Sequence, residues 1–461
     1  MTTNPTRRPL LSALVALPAL ALLAPAFLIG SLRAQEGGQP QEEESPFVVH
    51  EWGTFTSMQG SDGYALEGLH HEEEALPEFV HDATTLLDLG SAKHTKFPAS
   101  HVLQKMETPV IYFYSDVRRE VEVDVYYPKG LLTQYFPAPD ILSPRLSEIR
   151  ERIAGGRIDF EKLRASNAHW SVEVIPNGGQ TPEGIPEVDS EDPWAYARQV
   201  DSAFVRRMDN PDATPSADHP REAEHYIFYR GLSNQRLPIQ VQAERGDRAS
   251  LRSGFHDAIP LAIALEVNGD RARFRTLGEV SPDTDTPLEL GSVEFRPLGD
   301  VVFELFETIH EALVAQGLFE DEALAMVRTW SRQWFRSQGH RVIYLVPRSS
   351  VESRLPLMVN PAPDSMVRVL VGRLEFLTPE REAAVNIALR ERSDDDPAVR
   401  EGAEKVLEGL GRFLEPHLRR ALTSTTDPVI VASAQSMLDQ ITAPTTENPD
   451  EETSTLDLER R

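Results

Sequence analysis

The chain has no cysteine among its 461 residues. Disulfides, thiolate metal sites, covalent haem attachment, cysteine nucleophiles and lipid on an N-terminal cysteine are therefore all excluded, and any ion must be held by nitrogen and oxygen. Positive charge is scarce. Lys and Arg total 46 against 73 Asp and Glu, a net charge of −27. Such a surface repels phosphate backbones and anionic lipid, which argues against a nucleic-acid partner. There is no G-x-S-x-G elbow, no P-loop and no dinucleotide-binding glycine pattern. Beyond Gly30 the chain also lacks any apolar run long enough to span a bilayer, so no membrane insertion is expected past the N-terminal segment.

That segment has the three parts of an export signal. Thr6-Arg7-Arg8 is the positive end, Leu10 to Gly30 is nearly all apolar, and Ser31-Leu32-Arg33-Ala34 leads into polar Gln35. Residues 1–34 read as a signal peptide cleaved after Ala34, with an uncleaved anchor as the alternative. "TRRPLL" also resembles a twin-arginine signal, which exports folded proteins. Cleavage removes three arginines and no acid, so the mature chain is more acidic still. The expected location is the periplasm, cell envelope or exterior.

Residues 35–45, "QEGGQPQEEES", have linker composition, and structure is expected from Pro46. Residues 46–376 read as a strand-rich domain. "VIYFYS" and "EVEVDVYY" flank a polar turn, and Val121, Val123, Val125 and Tyr127 alternate with Glu122 and Asp124 as in a sheet with one wet face. "LAIALEVNGDRARFRTL" is a hairpin turning at Asn268-Gly269. "HWSVEVIP", "HYIFYRGL", "LPIQVQAE", "RVIYLVP", "LPLMV" and "MVRVLVGRLEFL" supply further strands. Residues 176–220, rich in Pro, Asp and Gly, read as a long surface loop with a short helix near Trp194. Residues 301–336 read as two helices broken at Gly317, with Leu324, Val327, Trp330 and Trp334 as a core stripe. "DTDTPLELGSVE" has calcium-loop acids, but Leu288 stands where the sharp turn needs Gly, so it reads as a strand connection.

Residues 378–441 are helical. "DPAVREGAEKVL" and "DPVIVASAQSML" align without a gap, each with an Asp N-cap and Pro at the first helical position. Gly409 and Gly411 suit a break between helices. The pair resembles a short HEAT-type repeat, too short for a binding superhelix. Residues 442–461 have the composition of a disordered tail. The expected fold class is thus α+β: a sandwich-like, strand-rich main domain with a helical insertion and a C-terminal helical, HEAT-like cap.

Histidine is concentrated near the mature N-terminus, at His50, His70, His71, His81, His94 and His101. As a strand, "VVHEWGTF" puts Val48, His50 and Trp52 on one face and Val49, Glu51 and Phe55 on the other. His50 and Glu51 then diverge, and Glu51 needs a partner if buried. Pro77 suits the first turn of a helix to about Leu89, which places Glu78 and His81 one turn apart, a spacing that can share a metal. Glu67–His70, Glu222–His225 and Glu307–His310 repeat that spacing. Side chains of adjacent histidines diverge in regular structure, so the bland reading of "HHEEE" is a solvated loop whose acids raise the histidine pKa values. The functional reading is a divalent-metal site drawn from His50, His70, His71, Glu74, Glu78, His81 and His101.

"HEWGTFTS", the acidic His-rich stretch after it, and "RVIYLVPR…LPLMV…VRVLVGRLEFLTP" resemble a group of exported bacterial proteins. The resemblance covers most of the mature chain and implies one continuous architecture. It brings no catalytic residues with it.

Two functions fit. The preferred one is an exported binding or interaction protein without catalysis, its partner a protein or a cell-envelope component. The alternative is a metal-dependent hydrolase with a His/Glu site in residues 50–101, whose ion lowers the pKa of bound water. The export reading is checked by N-terminal sequencing of protein recovered outside the cytoplasm, which should begin at Gln35.

Overall fold

The computed structural model describes residues 45–71, 76–83, 99–144, 158–208 and 222–442. The leader, the linker up to Glu44 and the tail from residue 443 lie outside them, as do Glu74 and His94. Strand β1 (Phe47–Gln59) opens the body, and β2 (His81–Asp82), β3 (Gln104–Ser115), β4 (Arg119–Pro128), β5 (Gly130–Phe136) and β6 (Ala165–Ile175) follow. Next come helix α1 (Pro193–Ala197), β7 (Phe204–Arg207), β8 (Ile227–Ser233) and the hairpin β9 (Ile259–Asn268) to β10 (Arg271–Val280). Helices α2 (Leu298–Ala315) and α3 (Glu320–Phe335) precede β11 (Gly339–Leu345), α4 (Arg348–Arg354), β12 (Leu357–Asn360) and β13 (Ser365–Phe376).

Among the described residues a 10-stranded sheet runs Arg296–Pro297, β10, β9, β11, β13, β1, β3, β8, β5, β2. A second, 6-stranded sheet contains Ala223–Glu224, β7, β6, β4 and β12 in order, with Ile141–Ser143 also pairing β6. The polar turn after Ser115 therefore carries the chain from one sheet to the other. The alternation read in β4 holds: Val121, Val123, Val125 and Tyr127 are buried while Glu122 is exposed. Those side chains meet Val49, Phe55, Trp170 and Val172 in the core between the sheets. The opposite face of the larger sheet, with Trp52, Tyr112, Ile263 and Val371, packs on α2 and α3 through Leu305, Ile309, Met326 and Trp330. The result is three layers: sheet, sheet, helices.

Several local expectations are adjusted. The hairpin turns on Gly269-Asp270, with Asn268 paired to Arg271 and the positive φ (+61°) on Gly269. Leu324 is only partly buried, and Ala323, Met326, Val327, Trp330 and Trp334 carry the α3 stripe. The 176–220 stretch is more than a surface loop. Trp194 of α1 is buried against Phe79, Phe136, Tyr226 and Phe228, and Phe204–Arg207 is the strand β7. No helix starts at Pro77 within the described residues. Val80 donates to the Pro77 carbonyl in a turn, and His81 pairs with Tyr135 at the sheet edge, because Val80 is buried with the helix-side core.

After β13 come α5 (Pro379–Glu391), α6 (Pro397–Glu408), α7 (Leu414–Ser424) and α8 (Pro428–Thr442), with their own core of Leu389, Leu407, Leu418 and Leu438. Asp396 and Asp427 cap α6 and α8 by accepting from Ala398 N and Val429 N. The chain is thus α+β and strand-rich, with a C-terminal helical region. No helix among the described residues is long and apolar enough to cross a membrane.

Strand β1 lies between β13, parallel, and β3, antiparallel, and is buried along nearly its whole length. Glu51 on it is fully buried, as the sequence required, with a partner: Arg368, its direct neighbour on β13, donates at 2.7 Å, and Tyr229 also donates. Removing one partner of a buried pair leaves an uncompensated charge, so Arg368→Ala should destabilise the fold by about 3–5 kcal/mol in denaturant unfolding. A loss below about 1 kcal/mol would contradict this account of the pair.

Candidate functional site

The histidines of the N-terminal stretch face different carboxylates. His50, buried on β1, donates through Nδ1 to Glu322 of α3 at 2.7 Å and packs on Phe319 and Tyr114. His50 shares its face with Trp52, and its polar contact is this buried hydrogen bond to a carboxylate. His81 Nε2 lies 2.6 Å from Glu222, whose other oxygen accepts from Ala138 N. Glu222 therefore serves His81, 141 positions away, and not His225. His101 Nδ1 lies 2.9 Å from Asp159, with Glu161 close by, in a partly exposed group. Glu78 sits exposed in the turn before β2. His310 approaches the Glu320 carbonyl on α3.

His70 and His71 behave differently. They lie in a turn and not in a strand or helix, so neighbouring side chains can converge, and their rings stand 4.2 Å apart. Both Nε2 atoms face Glu415 Oε2 of α7, His71 at 2.9 Å and His70 at 3.6 Å. Arg419, one turn along α7, donates twice to the other oxygen, Oε1. Burial pushes His70 down to about 3, helped by the charge of His71 and opposed by Glu415. Dehydration outweighs the Glu415 carboxylate beside it. Burial alone would raise the Glu415 carboxyl, but His71, His70 and Arg419 together hold it at about 2. The sequence pointed to His70 and His71 but not to Glu415, 344 positions from His71. A carboxylate in the first turn of a helix ordinarily reads as a favourable end charge and nothing more.

A second feature carries no sequence signal. A cleft of about 530 Å3 separates the ends of β11 and β13 and the β9–β10 turn from the helical cap. Its acids and bases are mostly matched: His340 with Glu266 at 3.3 Å, Glu375 with Arg341 and Arg373, and Arg412 with Glu107 at 2.8 Å. Two groups are not. The half-buried Arg381 guanidinium has no acid paired with it among the described residues, and dehydration alone lowers its pKa. His417 is buried, and its Nδ1 donates to the Phe413 carbonyl at 2.7 Å. That bond fixes the tautomer, so Nε2 carries the lone pair, and Nε2 has no hydrogen-bond partner. Burial chiefly, with the Arg381 charge behind it, holds His417 down to about 4. The cleft thus offers one unneutralised cation beside one buried acceptor.

No protein-family model matches the chain, and no curated protein matches its sequence. Among solved structures it is similar to the Mu homology domain of Fcho1 from Danio rerio with bound Eps15 peptide, at 8% identity and a TM-score of 0.28. That match covers 73% of this chain and 98% of the other. It is also similar to the yeast delta-COP-I mu-homology domain complexed with a Dsl1 WxWxV peptide, at 8% identity and a TM-score of 0.23, covering 72% and 97%.

Proposed function

We propose that the chain is an exported binding protein without catalysis of its own, and that its ligand sits in the cleft between the sheet ends and the helical cap. The observation that carries this reading is the pairing of unmatched Arg381 with the buried, unpartnered Nε2 of His417. A buried acceptor without a donor costs about 1–3 kcal/mol, so a ligand that supplies an N–H or O–H gains at that point. A carboxylate on the same ligand meets Arg381. The cleft volume lies within the range of about 300–1,000 Å3 usual for small-molecule sites. The carboxyl end of a peptide or an acidic sugar of the cell envelope meets both demands, and the export signal would bring the protein to such partners. A hydrolase that uses His50, His70 and His81 together is not favoured, since each faces a different carboxylate.

The test is calorimetric titration with short peptides and uronic acids. Arg381→Gln should weaken the best ligand about tenfold or more, because a hydrogen bond to a charged group contributes about 1.5–3 kcal/mol. Amidation of the ligand carboxylate should have the same effect. Unchanged affinity in Arg381→Gln, or turnover of a ligand that tracks a single His or Glu substitution, would overturn the reading.

The neutral imidazoles also set a pH range for the fold. Above pH 6.5 folded and unfolded chains both hold His70 and His417 uncharged, and neither residue contributes a slope. Below 6.5 the unfolded chain takes up protons that the folded chain refuses, so stability falls towards about pH 4 for His417 and about pH 3 for His70. Glu415 adds a loss from pH 4.5 down to about 2. The urea midpoint should therefore drop steadily below pH 6.5, and less steeply in His417→Gln. A midpoint constant between pH 7 and 4.5 is the contrary result.

A further inference from the structure

We propose that His70, His71 and Glu415 form a site for one divalent transition ion of the zinc type, which fastens the loop after β1 to helix α7 of the cap. The three donor atoms lie within 4.8 Å of one another. A tetrahedral ion with bonds of about 2.0–2.1 Å sets its donors about 3.3 Å apart. The 2.9 Å and 3.6 Å separations from Glu415 Oε2 to the two imidazoles bracket that value.

Two features show that the arrangement is built. Arg419 occupies Oε1 of Glu415 with two donors, which fixes the carboxylate and leaves Oε2 turned to the histidines, the kind of outer partner that orients a metal ligand. Gly68 lies at a φ of +103°, and a Cβ there would stand 2.6 Å from Glu415 Cγ, so only glycine lets the loop close on α7. Independently, His70 is buried with neither ring nitrogen hydrogen-bonded among the described residues: Nδ1 has no partner, and 3.6 Å is beyond a bond from Nε2 to Glu415. A buried neutral imidazole thus faces a buried carboxylate with nothing joining them. An ion between the two takes Nε2 of His70 and Oε2 of Glu415, and the ring proton of His70 stays on Nδ1.

The donor chemistry selects the ion. Two imidazoles and one carboxylate suit zinc, cobalt, nickel or copper, whereas calcium and magnesium ask for six or more oxygens. His70 is uncharged at neutral pH and gives up no proton. As the ion takes His71 Nε2 and Glu415 Oε2, the ring proton of His71 sits on Nδ1. The partly exposed side of His71 is the route in. The other cluster, His101, Asp159 and Glu161, has one imidazole and stands more exposed, which makes it the weaker competitor.

The test uses the mature chain without an affinity tag, stripped with EDTA and dialysed. Zinc chloride titrated by calorimetry should bind at one equivalent, and cobalt chloride should give the visible absorption of a tetrahedral site. Zinc should also raise the thermal midpoint. His71→Ala, a partly exposed position that should leave the fold intact by circular dichroism, should lower zinc affinity at least about 100-fold, the upper end of what loss of an outer partner does. It should also abolish the thermal shift. Arg381→Gln should leave zinc binding unchanged, so this proposal and the cleft proposal fail separately. Absence of stoichiometric zinc or of the cobalt band overturns the site. So does zinc uptake that survives His71→Ala but is lost in His101→Ala.

Discussion

A strand buried on both faces cannot keep a charge without a partner, and β1 obeys this constraint at every polar position that matters. His50 turns to the helical layer and meets Glu322. Glu51 turns to the second sheet and meets Arg368. Thr56 donates to Glu107, which in turn holds Arg412 of the cap. All three partners come from elsewhere in the chain. An unpaired charge at any of these places would cost more than the surrounding apolar contacts return, so the pairs specify which elements surround β1 as well as holding them there.

The same logic organises the contact between body and cap. Glu107 is fully buried, and its carboxyl is held well below the ordinary range by Arg412, Lys105 and Arg230, with the Thr56 hydroxyl, against the opposing effect of burial. The guanidinium groups of Arg373 and Arg412 both approach the Phe413 ring, which anchors the link between α6 and α7. Helix α7 then serves two sites. Glu415 reaches the His70-His71 loop, while His417 lines the cleft.

What could be read in the sequence was local. Alternation in β4 and the Asp-Pro starts of α6 and α8 depend on a few neighbouring residues and are found where the pattern placed them, while the β9–β10 turn lies one residue later than its Asn-Gly signal. The Glu-x-x-His spacing is equally local, yet Glu222 and His81 come from two different instances of it. Pro77 misled for a related reason: helix propensity at an end is a weak term, and burial of Val80 beside a sheet edge outweighs it. Glu415, Arg381 and His417 acquire their roles only when the cap docks on the body, and no spacing rule encodes that.

The parallel pairing of β1 with β13 joins residues 317 positions apart. As the polypeptide emerges from the ribosome, its first strand therefore waits for the last strand among the described residues before its central edge is covered. Until then Glu51 stays hydrated and the layers on either side of it have no floor. Truncation before residue 376 would remove the middle of the protein, not its end.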